Sequence, residues 1–297
     1  VIRASPAPHP SSPNAILDAL EACPPVRSLI SRMPAPGDAL VVGDAFGSSR
    51  TALVAALHRA TGRVLVVVAV DPAAAAAAAA DLETLLGEGA SALYPQRETL
   101  PYESTEPHLE IGGLRVEAVE VLFSGRARLF VTTLRALQER APVPDHLAHL
   151  RLTLRVGEPQ SLTQLVGALE ERGFKRVALV EEVGQFAVRG GLLDLFSFGS
   201  PEPVRVEFWG DEIASIRTFD ILDQRSTGEL AEAHVLPVDF RGGGGDAAAA
   251  PVARSLLELL PRDAVLVRTG EASWPASLRR TWEQVERFHA ELVEQGR

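Results

Sequence analysis

The run "ALVVGDAFGSSRTALVAALHRA", Ala39–Ala60, opens on an apolar segment, passes through a loop with two glycines and closes on a helix-forming stretch. Strand, glycine loop and helix in that order is how a parallel α/β domain begins. The alternation continues downstream. "RVLVVVAV" (63–70) reads as a strand and "PAAAAAAAADLETLLG" (72–87) as a helix whose octa-alanine core has the highest helix propensity. "ALYP" (92–95), "LEIGGLRVEAVEVLFSG" (109–125), "RLFVTT" (128–133) and "LRALQER" (134–140) follow as strand, helix, strand and helix. Ahead of Ala39 lie a Pro-rich tail, a short helix around Ala15–Ala22 and the linker "PAPGD".

Past "APVPDH" (141–146) the pattern changes. "LRLTLRVG" reads as a strand, "SLTQLVGALEERG" as a helix capped by Ser161 and "FKRVALV" as a strand. "QFAVRGGLLDLFSFG", "EPVRVEFWG" and "EIASIRTFD" then succeed one another without helices, an antiparallel meander with turns at Gly199–Pro201 and Gly210–Asp211. Beyond the Gly-rich "RGGGGDAAAAP" (241–251), "VARSLLELL", "AVLVRT" and "SLRRTWEQVERFHAELVEQ" restore helix, strand, helix. The expected fold class is therefore α/β, a parallel-sheet domain of degenerate P-loop, helicase-like type carrying an inserted small α+β antiparallel domain. The expected boundaries are a tail at 1–36, the α/β domain at 37–145, the small domain at 146–232 and a return to the first domain at 233–297.

A working phosphate loop, G-x-x-x-x-G-K-[ST], needs a glycine for close backbone approach, a lysine for the phosphates and a hydroxyl for magnesium. Here Ser49, Arg50 and Thr51 stand at its end, so only the hydroxyl survives, and Gly43 is one residue too far away. Gly43, Gly47, Ser49, Arg50 and Thr51 are accordingly expected to form a degenerate nucleotide loop. The strand "RLFVTT" ends in two threonines where magnesium-dependent folds of this kind place an aspartate. The seven histidines show no metal-ligand spacing, no G-x-S-x-G elbow occurs, and the single cysteine, Cys23, excludes an internal disulfide. No cofactor, metal or catalytic residue is expected.

The formal net charge of −10 argues against a chain built mainly to wrap nucleic acid. No apolar run is long enough to cross a bilayer, and with one cysteine and no secretory h-region the expected location is the cytoplasm. A local basic face remains available. Lys175 and Arg176 precede one strand while Phe186 and Arg189 flank the next, so cations and an aromatic are expected on one face of the small sheet, a composition suited to a protein interface. Gly190 and Gly191 are expected to mark a bulge or a close backbone approach.

Three segments in order, "ETLPYESTEPH" (98–108), "VTTLRALQER" (131–140) and "RGGLLDLFSFGSPEPVRVEFWGDEIASIRTFDILDQRS" (189–226), resemble the amino-terminal region of bacterial transcription-repair coupling factors (Mfd) over about Ala39–Val238. The third is similar to a run shared with the excision-repair protein UvrB, with Ser197 in place of a proline. In the region where UvrB has a tyrosine-rich hairpin that enters DNA, only Tyr94 and Tyr102 remain, neither in that pattern. The resemblance implies a relic nucleotide site and a small domain that docks UvrA through basic residues, matched here by Lys175, Arg176, Phe186 and Arg189. It also implies that contacts with RNA polymerase and DNA belong to other parts of a longer protein, and that the docking surface is masked in its resting state. The expected function is a non-catalytic recruitment module for nucleotide excision repair at stalled polymerase. The competing reading, a nucleotide-dependent DNA-binding ATPase or translocase domain, needs the missing lysine and carboxylate.

Overall fold

The computed structural model describes residues 13–99, 108–143, 151–240, 252–269 and 274–294. Tyr102, the Pro-rich opening and the Gly-rich connector lie outside the described residues.

Two helices come first, α1 (Pro13–Ala22) and α2 (Pro24–Ser31), the second absent from the sequence reading. The α/β domain then runs through α3 (Ser49–Thr61), β1 (Leu65–Ala69), α4 (Pro72–Leu86), β2 (Ala92–Tyr94), α5 (Leu109–Ser124), β3 (Leu129–Thr133) and α6 (Leu134–Gln138). α4 starts sharply because Asp71 accepts the Ala74 N–H at 2.8 Å and Pro72 has no N–H to satisfy. The strands form a parallel sheet of order β12-β1-β3-β2, in which β12 (Val265–Arg268) arrives from the far end of the chain. Every residue of β1 and β3 is buried, as expected for strands covered on both faces. Alternation sorts their side chains. Leu65, Val67, Leu129 and Val131 join α1, α3 and α4 in one core, while Val66, Val68 and Phe130 join α5 and α6 in another. Each such burial contributes about 2 kcal/mol.

The segment Ala39–Gly43, expected as the first strand, forms none, and Val41 is 90 % exposed. Its place is taken. β1 is flanked by β3 and by β12, so no ladder position remains beside it.

The small domain lies between α6 and β12 in the chain and is thus inserted into the first. Its elements are β4 (Leu152–Arg155), α7 (Leu162–Glu171), β5 (Lys175–Arg176), β6 (Gln185–Arg189), β7 (Leu192–Leu195), β8 (Val204–Trp209), β9 (Glu212–Phe219), β10 (Ser226–Leu230) and β11 (Glu232–Val235). The sheet order is β10-β9-β8-β7-β6-β5, antiparallel except that β5 pairs parallel with β6, and β4 pairs separately with β11. Only two residues of "FKRVALV" are strand, and Ser161 sits at the start of α7 without a side-chain cap. Gly190 and Gly191 are the two-residue turn between β6 and β7, and the sheet's register shifts lie instead at Glu207/Phe208, where β8 pairs with β9, and at Ser226/Gly228, where β10 pairs with β9. Gly190 supplies the φ of +61° that such a turn requires at its first position. Gly191 does meet another backbone closely, since its carbonyl accepts the Phe208 N–H at 2.8 Å.

One face of this sheet packs on α7 and the β4–β11 ribbon through Leu165, Leu169, Leu193, Leu195 and Val206. The ribbon carries the small domain past residue 232, where the sequence reading ends it, because β11 must pair with β4 to cover that core. The two domains interlock just beyond. Leu236 and Phe240 enter the α/β core while Val238, between them, enters the core of the small domain. After the connector come α8 (Leu256–Leu259), shorter than expected, and α9 (Trp274–Glu294), which has no buried residue and contacts α6. Among the described residues no helix is long and apolar enough to cross a membrane.

Candidate functional site

Two places could carry function, the loop after Gly43 and the face of the small sheet away from α7, which is covered at Ala187 and Phe219 by Val180. Ser49, Arg50 and Thr51 at the end of the loop are each engaged within the domain. Ser49 Oγ accepts the Phe46 N–H at 2.9 Å and donates to the Phe46 carbonyl at 2.6 Å. Arg50 Nε folds back onto the Ala45 carbonyl at 2.8 Å, and Thr51 Oγ1 donates to Asp81 at 2.8 Å. Gly47 has a φ of +53° and Gly43 an ordinary one, but a phosphate cradle needs successive N–H groups aimed outward, with a cation able to reach past them. At the end of β3, Thr132 donates to the Tyr94 carbonyl at 2.7 Å, and Thr133 donates to Gln96 while capping α6. Among the described residues no group of three or more His, Cys, Asp or Glu side chains is placed to hold a metal ion.

The face of the small sheet away from α7 is built by strand alternation. The register aligns Ala187, Asp194, Arg205, Arg217 and Glu229 in one row and Arg189, Leu192, Glu207 and Ser215 in the next. Asp194 is only 2 % exposed, yet it is paired on both sides. Arg205 binds it from β8 through two bonds, and Arg189 Nη2 donates to its Oδ2 at 2.6 Å from β6. Hydrogen bonding to Asp194 raises the pKa of Arg205, whose guanidinium also lies 4.8 Å from the centre of the Phe219 ring. Two guanidinium charges on one carboxylate leave a net positive charge, carried outward by the half-exposed Arg189. Arg217 and Glu207 form a further ion pair on the same face.

Of the four residues expected together, the structure joins two on this face. Lys175 aligns with Gln185 on the strand that carries Arg189, and alternation puts Gln185, Ala187 and Arg189 on one side, so Lys175 and Arg189 share it about 13 Å apart along β6. Lys175 also lines an interdomain cleft of about 1300 Å³ with Glu117, Glu181 and Glu182. Arg176 is exposed but points to the opposite side. Phe186 is a correction. It is wholly buried among Leu165, Leu193 and Leu195, because alternation from Arg189 turns it to the side that α7 covers. Among the described residues the exposed aromatic of the small domain is Trp209, at the end of the strand "EPVRVEFWG", a residue the sequence pattern does not single out.

Residues 152–239 match the family model of the UvrB interaction domain. The chain is similar to the transcription-repair-coupling factor of Haemophilus influenzae, with 33 % identity over 212 residues, covering 70 % of this chain and 18 % of that protein. It is also similar to those of Myxococcus xanthus, with 38 % identity over 64 % of this chain and 16 % of the relative, and of Mycobacterium bovis, with 39 % over 62 % and 15 %. The chain thus spans less than a fifth of the length of these curated relatives.

Proposed function

From the premise that residues 152–239 are a UvrB interaction domain in a relative of the transcription-repair-coupling factors, we propose that the chain is a non-catalytic docking module for UvrA. In this reading it recruits nucleotide excision repair to a stalled RNA polymerase. Contacts with polymerase and DNA fall to further domains of a protein of the relatives' length, working in the cytoplasm. The observation that carries the reading is Arg189. Its guanidinium is held by a buried carboxylate that already has a full partner in Arg205, so it stands preorganised at the surface with charge to spare. A preorganised arginine loses little side-chain freedom on binding and offers a fork that fits a carboxylate. On an acidic chain, a local positive face of this kind steers an acidic patch of a partner, while the negative charge of the rest of the chain opposes bulk nucleic acid. The α/β domain serves as scaffold in this reading, with Ser49, Arg50 and Thr51 engaged by the loop backbone and by Asp81 of α4.

The test is calorimetric titration of the purified chain with UvrA, wild type beside Arg189→Ala and Arg189→Glu. Binding that weakens by roughly tenfold in the alanine variant, and further on charge reversal, supports the assignment. Unchanged affinity in both, with circular dichroism showing folded protein, removes Arg189 from the interface.

A further inference from the structure

Trp209 is 85 % exposed, an unusual position for the side chain with most to gain from burial. It ends β8, where it pairs with Glu212 across the Gly210–Asp211 turn. That turn is fastened on both sides. The Gln160 N–H donates to the Asp211 carbonyl at 2.8 Å, the Ile213 N–H to Glu158 at 3.2 Å and the Gly157 N–H to the Ile213 carbonyl at 2.8 Å, while the Phe208 N–H holds the neighbouring Gly191. The backbone under the tryptophan is therefore rigid although its ring is bare, and its indole N–H has no partner among the described residues.

Its place on the sheet gives this a meaning. β8 buries Val204, Val206 and Phe208 and turns Arg205, Glu207 and Trp209 to the other side, the side of Arg189. The β6–β7 and β8–β9 turns lie at the same end of the sheet, since Arg189 aligns through Leu192 with Glu207, two residues before Trp209. Two strand spacings across and two residues along put Arg189 and Trp209 about 12 Å apart. An exposed tryptophan on a fastened backbone, on the same face as a preorganised arginine and with Leu192 in the row between them, is the composition of an interface hot spot.

We infer that Trp209 is the aromatic anchor of the docking face, entering an apolar pocket flanked by carboxylates on the same UvrA partner that Arg189 engages. The inference rests on the docking function proposed above and extends it: the face runs from Arg189 across Leu192 to the β8–β9 turn. The partner is the occupant because the tryptophan lies on the same face as Arg189, with Leu192 and the Arg217-paired Glu207 between them, and no helix or loop among the described residues covers it.

The test has two parts. UvrA is titrated calorimetrically into wild type, Arg189→Ala, Trp209→Ala and Trp209→Phe, with folding of each checked by circular dichroism. The chain has three tryptophans, so a variant with Trp274→Phe and Trp282→Phe makes Trp209 the sole emitter for a parallel fluorescence titration. The expected result is a loss of roughly tenfold or more for Trp209→Ala, a smaller loss for Trp209→Phe, and a blue shift of Trp209 emission that saturates with binding. Binding by wild type that weakens in Arg189→Ala but not in Trp209→Ala overturns this inference and leaves the docking function standing. Failure of folded wild type to bind UvrA removes both. Weakened binding without an emission shift means the ring stays in water, which also overturns it. A dimer of the chain alone, seen by sedimentation and lost in Trp209→Ala, assigns the ring to self-association instead.

Discussion

Arg205 grips Asp194 through two bonds, Nε to Oδ1 at 2.6 Å and Nη2 to Oδ2 at 2.9 Å. Asp194 is thereby a buried charge whose removal strands a mostly buried guanidinium and frees Arg189 from Oδ2, the oxygen it shares with Arg205 Nη2. Asp194→Ala is expected to cost about 3 kcal/mol in urea denaturation. It should also weaken UvrA binding by loosening Arg189. A variant as stable as wild type would show that the pair is not held as described.

Thr51 stands where a nucleotide site would use a hydroxyl on magnesium, but its hydroxyl donates to Asp81. Thr51→Val should therefore lower stability by about 1 kcal/mol, the net worth of one hydrogen bond. A fluorescent ATP analogue with magnesium is expected to give no saturable signal with wild type. Saturable binding abolished by Arg50→Ala would restore the competing nucleotide-dependent reading.

Glu117 on α5 faces the interdomain cleft, and burial pushes its pKa above the ordinary 4.5, partly opposed by Arg126 and a hydrogen bond from the Gly199 backbone. The folded state therefore holds this proton more tightly than the unfolded one. Its contribution is most favourable at low pH and diminishes as pH rises from about 4.5 through the raised value. Glu117→Gln keeps an acceptor for Gly199 without the charge. Thermal melts should show the variant at least as stable as wild type near neutral pH, with a smaller gain on acidification toward about pH 5. An unchanged pH profile would exclude Glu117 as its source.

Gly113 on α5 lies against Phe198 of the small domain, and a Cβ there would overlap the ring. Gly113→Ala should cost about 2 kcal/mol by overpacking. Limited proteolysis should then cut near the domain junction more readily. Adding Phe198→Ala should relieve the clash, so the pair should be less than additive. Strict additivity in melts would mean the two residues do not meet.

The two domain types were legible because hydrophobic periodicity is local. "RVLVVVAV" and "RLFVTT" are apolar throughout, as strands buried on both faces must be, and "EPVRVEFWG" alternates, as a strand covered on one face does. That the loop after Gly43 has no lysine could likewise be read in advance, since it is a fact of composition and spacing. The second helix and the β4–β11 ribbon were harder to see. Short elements carry few periods.

Contacts across the chain decided the rest. "ALVVG" has a strand's composition, but β12, about 200 residues on, occupies the edge of β1 and leaves Val41 in water. Phe186 and Trp209 are both aromatics on strands of one sheet, and nothing near either residue says which side α7 will cover. The chain's own pattern determines which residues alternate. Only the packed structure determines which of the two alternating sets meets solvent, because a side chain's face becomes inside or outside when a distant element closes over it.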